Sequence, residues 1–205
     1  MTTINGAHVC GGALVSKSVV VSAAQCFEFY DPSELFVRLG TSDYASGGEL
    51  ISIASYKVNE NFDFTTMDSD LVVVKLNKII HKTHKSRSIK VSKKEPKTGK
   101  SGVLAGWSAK EQLAEVDVKI ISVEDCGSGN YTYSSDDLTK TMICAKPVDA
   151  EICGAEPGSP LIVKKDLVGL ISWGHGCGNK GNPAVYTDIT KFRKWIKKTA
   201  NELEK

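Results

Sequence analysis

Short β-type runs separated by turn residues constrain this chain more than any other feature. Val19–Val21, Leu35–Leu39, Leu50–Ile53 and Leu71–Val74 mark strands in the first half. Val103–Leu104, Val116–Ile120, Leu161–Val163 and Leu167–Ile171 mark them in the second. Many short strands with Gly, Ser, Asn and Asp between them predict an all-β sandwich or barrel. A polar stretch of little periodicity, Lys82 to Lys100, divides the runs and reads as a crossover between two subdomains. Only the end is helical in pattern: Phe192, Trp195, Ile196, Thr199 and Leu203 fall at helical spacing with Lys and Glu opposite. The expectation is two β subdomains closed by a C-terminal helix.

Composition narrows the class. At 205 residues, 41% hydrophobic and 24% charged, the chain has the proportions of ordinary globular proteins and is long enough to bury a real core. A net charge of +2 does not suggest nucleic-acid binding. No apolar run reaches the length of a membrane span. No charged-then-apolar leader pattern stands at Met1, so any signal peptide is expected to have been removed already.

Cysteine usage points to an oxidising compartment. The six cysteines, Cys10, Cys26, Cys126, Cys144, Cys153 and Cys177, include no C-x-x-C pair, and the four histidines are scattered. Metal sites usually bring close Cys or His pairs, so neither a metal nor another cofactor is expected. Three disulfides in a secreted, extracellular protein fit better, although counting alone allows about fifteen connectivities. Sequential pairing would close loops of moderate length, each worth about 3 kcal/mol in the chain-entropy model. Asn130-Tyr131-Thr132 is a glycosylation sequon that suits a secreted surface loop.

Seven ordered landmarks then matter together. They are His8-Val9-Cys10-Gly11-Gly12, Ala23-Ala24-Gln25-Cys26, Ser69-Asp70-Leu71-Val72-Val73, Ala105-Gly106-Trp107, Cys153 through Pro160 (CGAEPGSP), Ile171-Ser172-Trp173-Gly174 and Pro183-Ala184-Val185-Tyr186-Thr187. With these the chain resembles a trypsin-like serine protease of the chymotrypsin fold over essentially its whole length. The resemblance implies two six-stranded antiparallel β-barrels, at residues 1–92 and 93–187, with a helix over 188–205 and the family's first strand missing. It also implies the pairings Cys10–Cys26, Cys126–Cys144 and Cys153–Cys177.

The chain departs from the family where the chemistry would be. The reaction needs a nucleophile, a base and an acid that orients the base. The base position is Gln25, whose carboxamide cannot accept and return a proton as imidazole does. The nucleophile position is Pro157, which has no nucleophilic side chain. Asp70 alone remains, expected to lie buried near Ser172 with nothing to orient. Proline also lacks the N–H that the family's nucleophile gives to the oxyanion hole, leaving Ala155 alone there. Removing one such donor costs about 3 kcal/mol of transition-state stabilisation, and removing nucleophile or base about a millionfold in turnover. Ser159 stands two residues displaced and offers no repair.

The substrate cleft is expected to be altered as well. Glu151 takes the pocket-floor position with Ile152 beside it, and Ala184 replaces a family Gly, which together suggest an occluded pocket. Ser172, Trp173 and Gly174 survive, mainly as barrel structure. Glu156, the carboxylate before the nucleophile position, is expected to lack the N-terminal partner used by the family, with the pocket loops disordered or repacked. Retained cysteine pairs and clean strand patterning nevertheless indicate a maintained fold.

The crossover carries Lys82, Lys85, Arg87, Lys90, Lys93, Lys94, Lys97 and Lys100 against only Glu95. Its two readings are a solvated linker or an anion-binding site, for instance for a sulfated glycan. The C-terminal Lys191, Arg193, Lys194, Lys197 and Lys198 read as an exposed helix face, and His175 as a surface residue.

Intact fold with lost catalytic residues is similar to the pattern of mite gut trypsin-like proteases, related to the group 3 allergen trypsins, and among them the scabies mite inactivated serine protease paralogues. That resemblance implies a non-catalytic protein of the gut lumen that meets host plasma proteins and inhibits complement, an immune-evasion role. A glycan- or heparin-binding module and a weak or unconventional hydrolase are the alternatives. Neither nucleic acid nor membrane is expected as a partner.

Overall fold

The computed structural model describes residues 1–3, 6–107, 112–148, 156–174 and 182–205. The first half forms one six-stranded antiparallel sheet from β1 (Thr2–Thr3), β2 (Ala13–Leu14), β3 (Val19–Ser22), β4 (Leu35–Leu39), β5 (Glu49–Val58) and β6 (Val72–Leu76). Its spatial order is β1-β4-β5-β6-β3-β2. The edge strand β1 is only two residues long and pairs with Leu35 and Phe36.

The second half contributes β7 (Lys90–Val91), β8 (Ser101–Trp107), β9 (Leu113–Ile121), a one-turn helix α1 (Val123–Cys126), β10 (Met142–Pro147), β11 (Pro160–Val163), β12 (Asp166–Trp173) and β13 (Ala184–Asp188). The order β11-β8-β9-β10-β13-β12 closes on itself through the β11–β12 pairing, giving a six-stranded antiparallel barrel with no free edge. β7, a piece of the crossover, adds to β12 in parallel as a seventh strand.

Strand alternation explains how the two halves join. In β3, Val20 faces the interior of the first sheet, while Val19 and Val21 face the other way. In β6, Val72, Val74 and Leu76 point inward and Val73 outward. Both faces of these strands are therefore apolar, as a strand buried on two sides requires. The outward set meets Leu167, Leu170, Ile189 and Ile196 in a core between the sheets. The second barrel fills its own interior with Leu104, Val118, Ile120, Ile143, Leu161, Val168 and Tyr186.

Helix α2 (Arg193–Leu203) lids the shared core. The expected apolar residues all serve there: Ile196 and Thr199 are buried, and Phe192, Trp195 and Leu203 pack around them. The helix starts later than the sequence suggested, because Ala184–Asp188 belongs to β13 and Ile189 to Phe192 form a turn. At its far end Glu204 accepts hydrogen bonds from Ser18 (2.6 Å) and Ser16 (3.3 Å) of the first half.

The crossover is stitched down on both sides. The Ile89 N–H donates to the carbonyl of Leu14 at 2.8 Å, and the Ser92 N–H to that of Leu167 at 2.9 Å. Disulfides Cys10–Cys26 and Cys126–Cys144 are formed, one in each half. Cys153 and Cys177 lie outside the described residues.

Candidate functional site

Asp70 is fully buried at the start of β6, where Leu71 and Val72 anchor it in the core. Four hydrogen bonds converge on it. The Gln25 backbone N–H donates to Oδ1 at 2.9 Å, the Gln25 side-chain Nε2 to Oδ2 at 2.7 Å, and the Ser172 hydroxyl to Oδ2 at 2.6 Å. The Thr187 hydroxyl donates to the Asp70 carbonyl at 2.9 Å. Burial pushes the Asp70 carboxyl above its ordinary value, opposed by the bonds from Ser172 and Gln25.

Gln25 sits in a short 3-10 turn over Ala24–Phe27 that the Cys10–Cys26 disulfide fixes to β2's approach. Its Nε2 also donates to the Ser172 carbonyl at 2.7 Å. Both amide hydrogens are thus committed to acceptors, and the remaining arm of the side chain is a carbonyl oxygen. Asp70 therefore does have a group to orient, correcting the expectation that it would not: it locks the amide in place. An amide so held accepts a hydrogen bond but takes no proton near neutral pH.

Strand β12 brings the third position alongside. The Gly158 N–H donates to the Ile171 carbonyl at 2.8 Å, and the Ile171 N–H to the Ser159 carbonyl at 2.9 Å. The register of β12 against β13 shifts between Ile171 and Trp173, a bulge at Ser172. A bulge turns a residue out of the ladder, and here it frees the Ser172 carbonyl and hydroxyl for Gln25 and Asp70.

Pro157 heads the turn that β12 holds. Its carbonyl accepts from the Gly11 N–H at 2.9 Å, and it offers neither hydroxyl nor N–H. Gly158 has φ +85°, and a Cβ there would lie 2.4 Å from the Gly11 carbonyl oxygen, so only glycine closes this turn. Ser159 is fully buried, and its Oγ lies 2.8 Å from where a Gly11 Cβ would stand. It packs between Gly11 of the first half and Gly106 of the second. Ala155 lies outside the described residues.

Glu156, for which the sequence predicted loss of the N-terminal partner, lies beside a histidine instead. Its Oε2 lies 3.3 Å from Nε2 of His8. His8 stacks on Tyr44 (ring centroids 5.0 Å apart, 26° between planes) and tilts against Trp107 at 5.3 Å. Sequence reasoning used His8 only as part of a landmark. The signal was available in His8 flanking Cys10 and in the Ala105-Gly106-Trp107 landmark, but their meeting is tertiary.

Of the expected pocket, Glu151, Ile152 and His175 lie outside the described residues, as do the flanking loops. Ser172 is buried, Trp173 half-buried and Gly174 exposed. Ala184 is buried, its methyl in the core of the second barrel. Tyr133, which sequence reasoning missed, stands behind this wall. Its hydroxyl donates to the Pro183 carbonyl at 2.6 Å, and its ring meets Trp173 edge-on at 5.1 Å.

All eight crossover cations, Lys82, Lys85, Arg87, Lys90, Lys93, Lys94, Lys97 and Lys100, are exposed, and among the described residues none makes an ion pair. Glu95, the one acid among them, lies 3.7 Å from Lys191. Lys90, Lys93 and Lys94 line a cleft of about 710 Å³ together with Arg193 and Lys197 of α2, over a floor of Val15, Val91 and Ile196. The helix cations, expected to be mere solvated face, thus join the crossover cations around one cavity. Asn130 is exposed in the loop after α1. Among the described residues no His, Cys, Asp and Glu cluster could hold a metal, and no helix is long and apolar enough to cross a membrane.

Two β-barrel-like sheets, a C-terminal helix and a Gln25–Asp70–Ser172 network at their junction define a protein of the chymotrypsin-like fold. The family model for trypsin matches residues 1–196, and the chain belongs to the trypsin family. It is 37% identical to a trypsin of Sarcophaga bullata, covering 96% of this chain and 80% of the relative. It is likewise 37% identical to hypodermin-B of Hypoderma lineatum, over 95% and 79%. Among solved structures it is similar to kallikrein-related peptidase 10, with a TM-score of 0.81, 28% identity and coverage of 96% and 91%. The fold also matches scabies mite inactivated protease paralogue S-D1, with a TM-score of 0.84 at 20% identity over 94% and 87%.

Proposed function

We propose that this chain is a secreted, proteolytically inactive member of the trypsin family that acts by binding, with host complement as its target. The observation that carries the inactivity is the state of the junction. Gln25 donates both amide hydrogens inward to Asp70 and Ser172, and Pro157 brings neither a nucleophile nor an N–H. Loss of nucleophile or base alone costs on the order of a millionfold in turnover. A fold kept with its disulfides while its chemistry is lost is a scaffold for loops, and loops on rigid barrels recognise partners. The choice of complement rests on the resemblance of the sequence to mite inactivated paralogues.

Lysis of sensitised cells in serum, with each complement activation route assayed separately, tests the target. Dose-dependent inhibition that heat-unfolded protein lacks is the expected result. No inhibition at protein concentrations near those of the serum components would remove complement as the target. Turnover of arginyl and lysyl amide substrates tests the inactivity. Activity that co-purifies with the chain and survives inhibitors of contaminating proteases would replace this reading with that of an unconventional hydrolase.

The cleft between crossover and helix favours a second reading, a sulfated-glycan-binding module. Five cations, Lys90, Lys93, Lys94, Arg193 and Lys197, line it against Asp166 and Glu204. Salt-sensitive retention on heparin tests that reading.

A further inference from the structure

The segment after Gln25 and the loop after β5 build an aromatic surface that none of the functions above uses. Phe27 lies 4.8 Å from Tyr56, Phe29 meets Phe64 edge-on at 5.6 Å, and Phe64 meets Phe62 at 6.4 Å (ring centroids). Phe27 and Phe62 are rooted in the core of the first sheet. Phe29 (70%), Phe64 (44%), Tyr56 (42%) and Tyr30 (39%) are exposed, and they are all the exposed Phe, Tyr and Trp rings among the described residues. A single exposed ring is ordinary, but Phe29, Phe64 and Phe62, in contact ring to ring, form a patch of the kind that marks an interaction site. Phe29 and Phe64 hold each other in place, so little side-chain entropy remains to be lost on docking.

Charge says what covers it. Residues 27–34 and 62–68 contain Glu28, Asp31, Glu34, Asp63 and Asp68 and no Lys, Arg or His. Glu28, Asp31, Glu34 and Asp63 are exposed, and among the described residues none of them makes an ion pair. Ring faces edged by carboxylates attract ammonium and guanidinium groups, through cation–π contacts and direct pairing. We propose that this face of the first sheet docks a partner-protein segment that carries Lys or Arg interleaved with apolar side chains. The rings belong to residues other than Gln25, Asp70 and Pro157, although Phe27 shares the 3-10 turn of Gln25, and peptide docking on them does not require that complement be the target.

Fluorescence anisotropy of a labelled peptide alternating Arg and Leu, titrated with the whole chain, tests this. Peptides of the same length alternating Arg with Ser, and Glu with Leu, are the comparisons. Both comparison peptides are expected to bind at least about tenfold more weakly, a difference of about 1.4 kcal/mol. Phe29→Ser with Phe64→Ser is expected to weaken the Arg and Leu peptide by a similar factor. Glu28→Lys with Glu34→Lys, which keeps the rings, is expected to do the same. All four side chains are exposed, so an unchanged unfolding temperature shows that only binding was lost. Binding unaffected by either double substitution overturns the proposal, as does equal affinity for the Arg and Ser peptide. Self-association of the chain abolished by the same substitutions also overturns it, since the occupant would then be a second copy.

Discussion

The junction around Asp70 and the crossover from Lys82 to Lys100 are opposites in how they satisfy charge. Asp70 is buried, and Gln25, Ser172, Thr187 and the Ala24 backbone hydrogen-bond to it. The eight crossover cations are exposed, and among the described residues none of them is in an ion pair. A network whose donors are all committed internally holds shape, and of the Gln25 side chain it leaves only the carbonyl oxygen as an acceptor. A charge row left unsatisfied has its whole field available to a partner. Within one molecule, the site positions of the trypsin family hold a buried hydrogen-bond network, while the most strongly charged segment is exposed.

Restoring chemistry at the junction is the most severe test of this contrast. Gln25→His combined with Pro157→Ser is expected to raise amide turnover at least about a thousandfold, while either change alone leaves it at baseline, because nucleophile and base act as a unit. Appreciable turnover by the unsubstituted chain, measured by chromogenic peptide hydrolysis, would break the comparison at its first half. Removing the acceptor sharpens it instead. Asp70→Ala strands the Gln25 N–H, the Gln25 amide and the Ser172 hydroxyl, and is expected to cost about 2–4 kcal/mol in urea unfolding. Lys93→Ala or Lys94→Ala should stay within about 0.5 kcal/mol by the same measurement.

On the crossover side the expected effects fall on binding. Lys93→Glu with Lys94→Glu should weaken heparin binding about ten- to a hundredfold. It should also flatten the slope of log affinity against log salt by about two, as counterion release at a polyanion requires. Retention unchanged by these substitutions would reassign the crossover to a solvated linker.

The smallest effect concerns the docking of α2. The Trp195 indole donates to Glu60 at 2.7 Å, and Lys57 lies 3.0 Å from the same carboxylate. The Glu60 backbone N–H, Lys57 and Trp195 together lower the Glu60 carboxyl to about 2 from its ordinary 4.5. A carboxyl lowered in the folded state contributes stability above its unfolded value, and that contribution disappears as pH falls from 4.5 toward 2. Trp195→Phe should therefore shrink the acid-side loss of stability, by no more than about 0.5 kcal/mol because the carboxylate is open to solvent. Thermal unfolding across that pH range measures it.

Much of the fold was legible because the alternating run Val116–Ile120 and the continuous apolar run Leu167–Ile171, buried on both faces, carry their burial pattern locally. Boundaries were less so. The expected Leu50–Ile53 became Glu49–Val58, since a strand lengthens wherever a neighbour offers hydrogen bonds, whatever its composition. The parallel Lys90–Val91 strand had no signal at all in a lysine-rich stretch. At the site, Gln25 and Pro157 were visible as departures from a landmark, but the His8–Glu156 pair, the role of Tyr133 and the meeting of Phe29 with Phe64 were not.

The sequence by itself determined which functional groups exist: a carboxamide at Gln25, no side-chain nucleophile and no N–H at Pro157, and eight cations against one acid in the crossover. Those are properties of covalent structure and need no fold. Only the tertiary structure decided what those groups face. The bulge at Ser172 aims a carbonyl at Gln25, α2 brings Arg193 and Lys197 beside Lys90, Lys93 and Lys94, and the loop after β5 sets Phe64 against Phe29. Such meetings join residues tens of positions apart, and the energy that fixes them is shared burial, which no local stretch of sequence encodes alone.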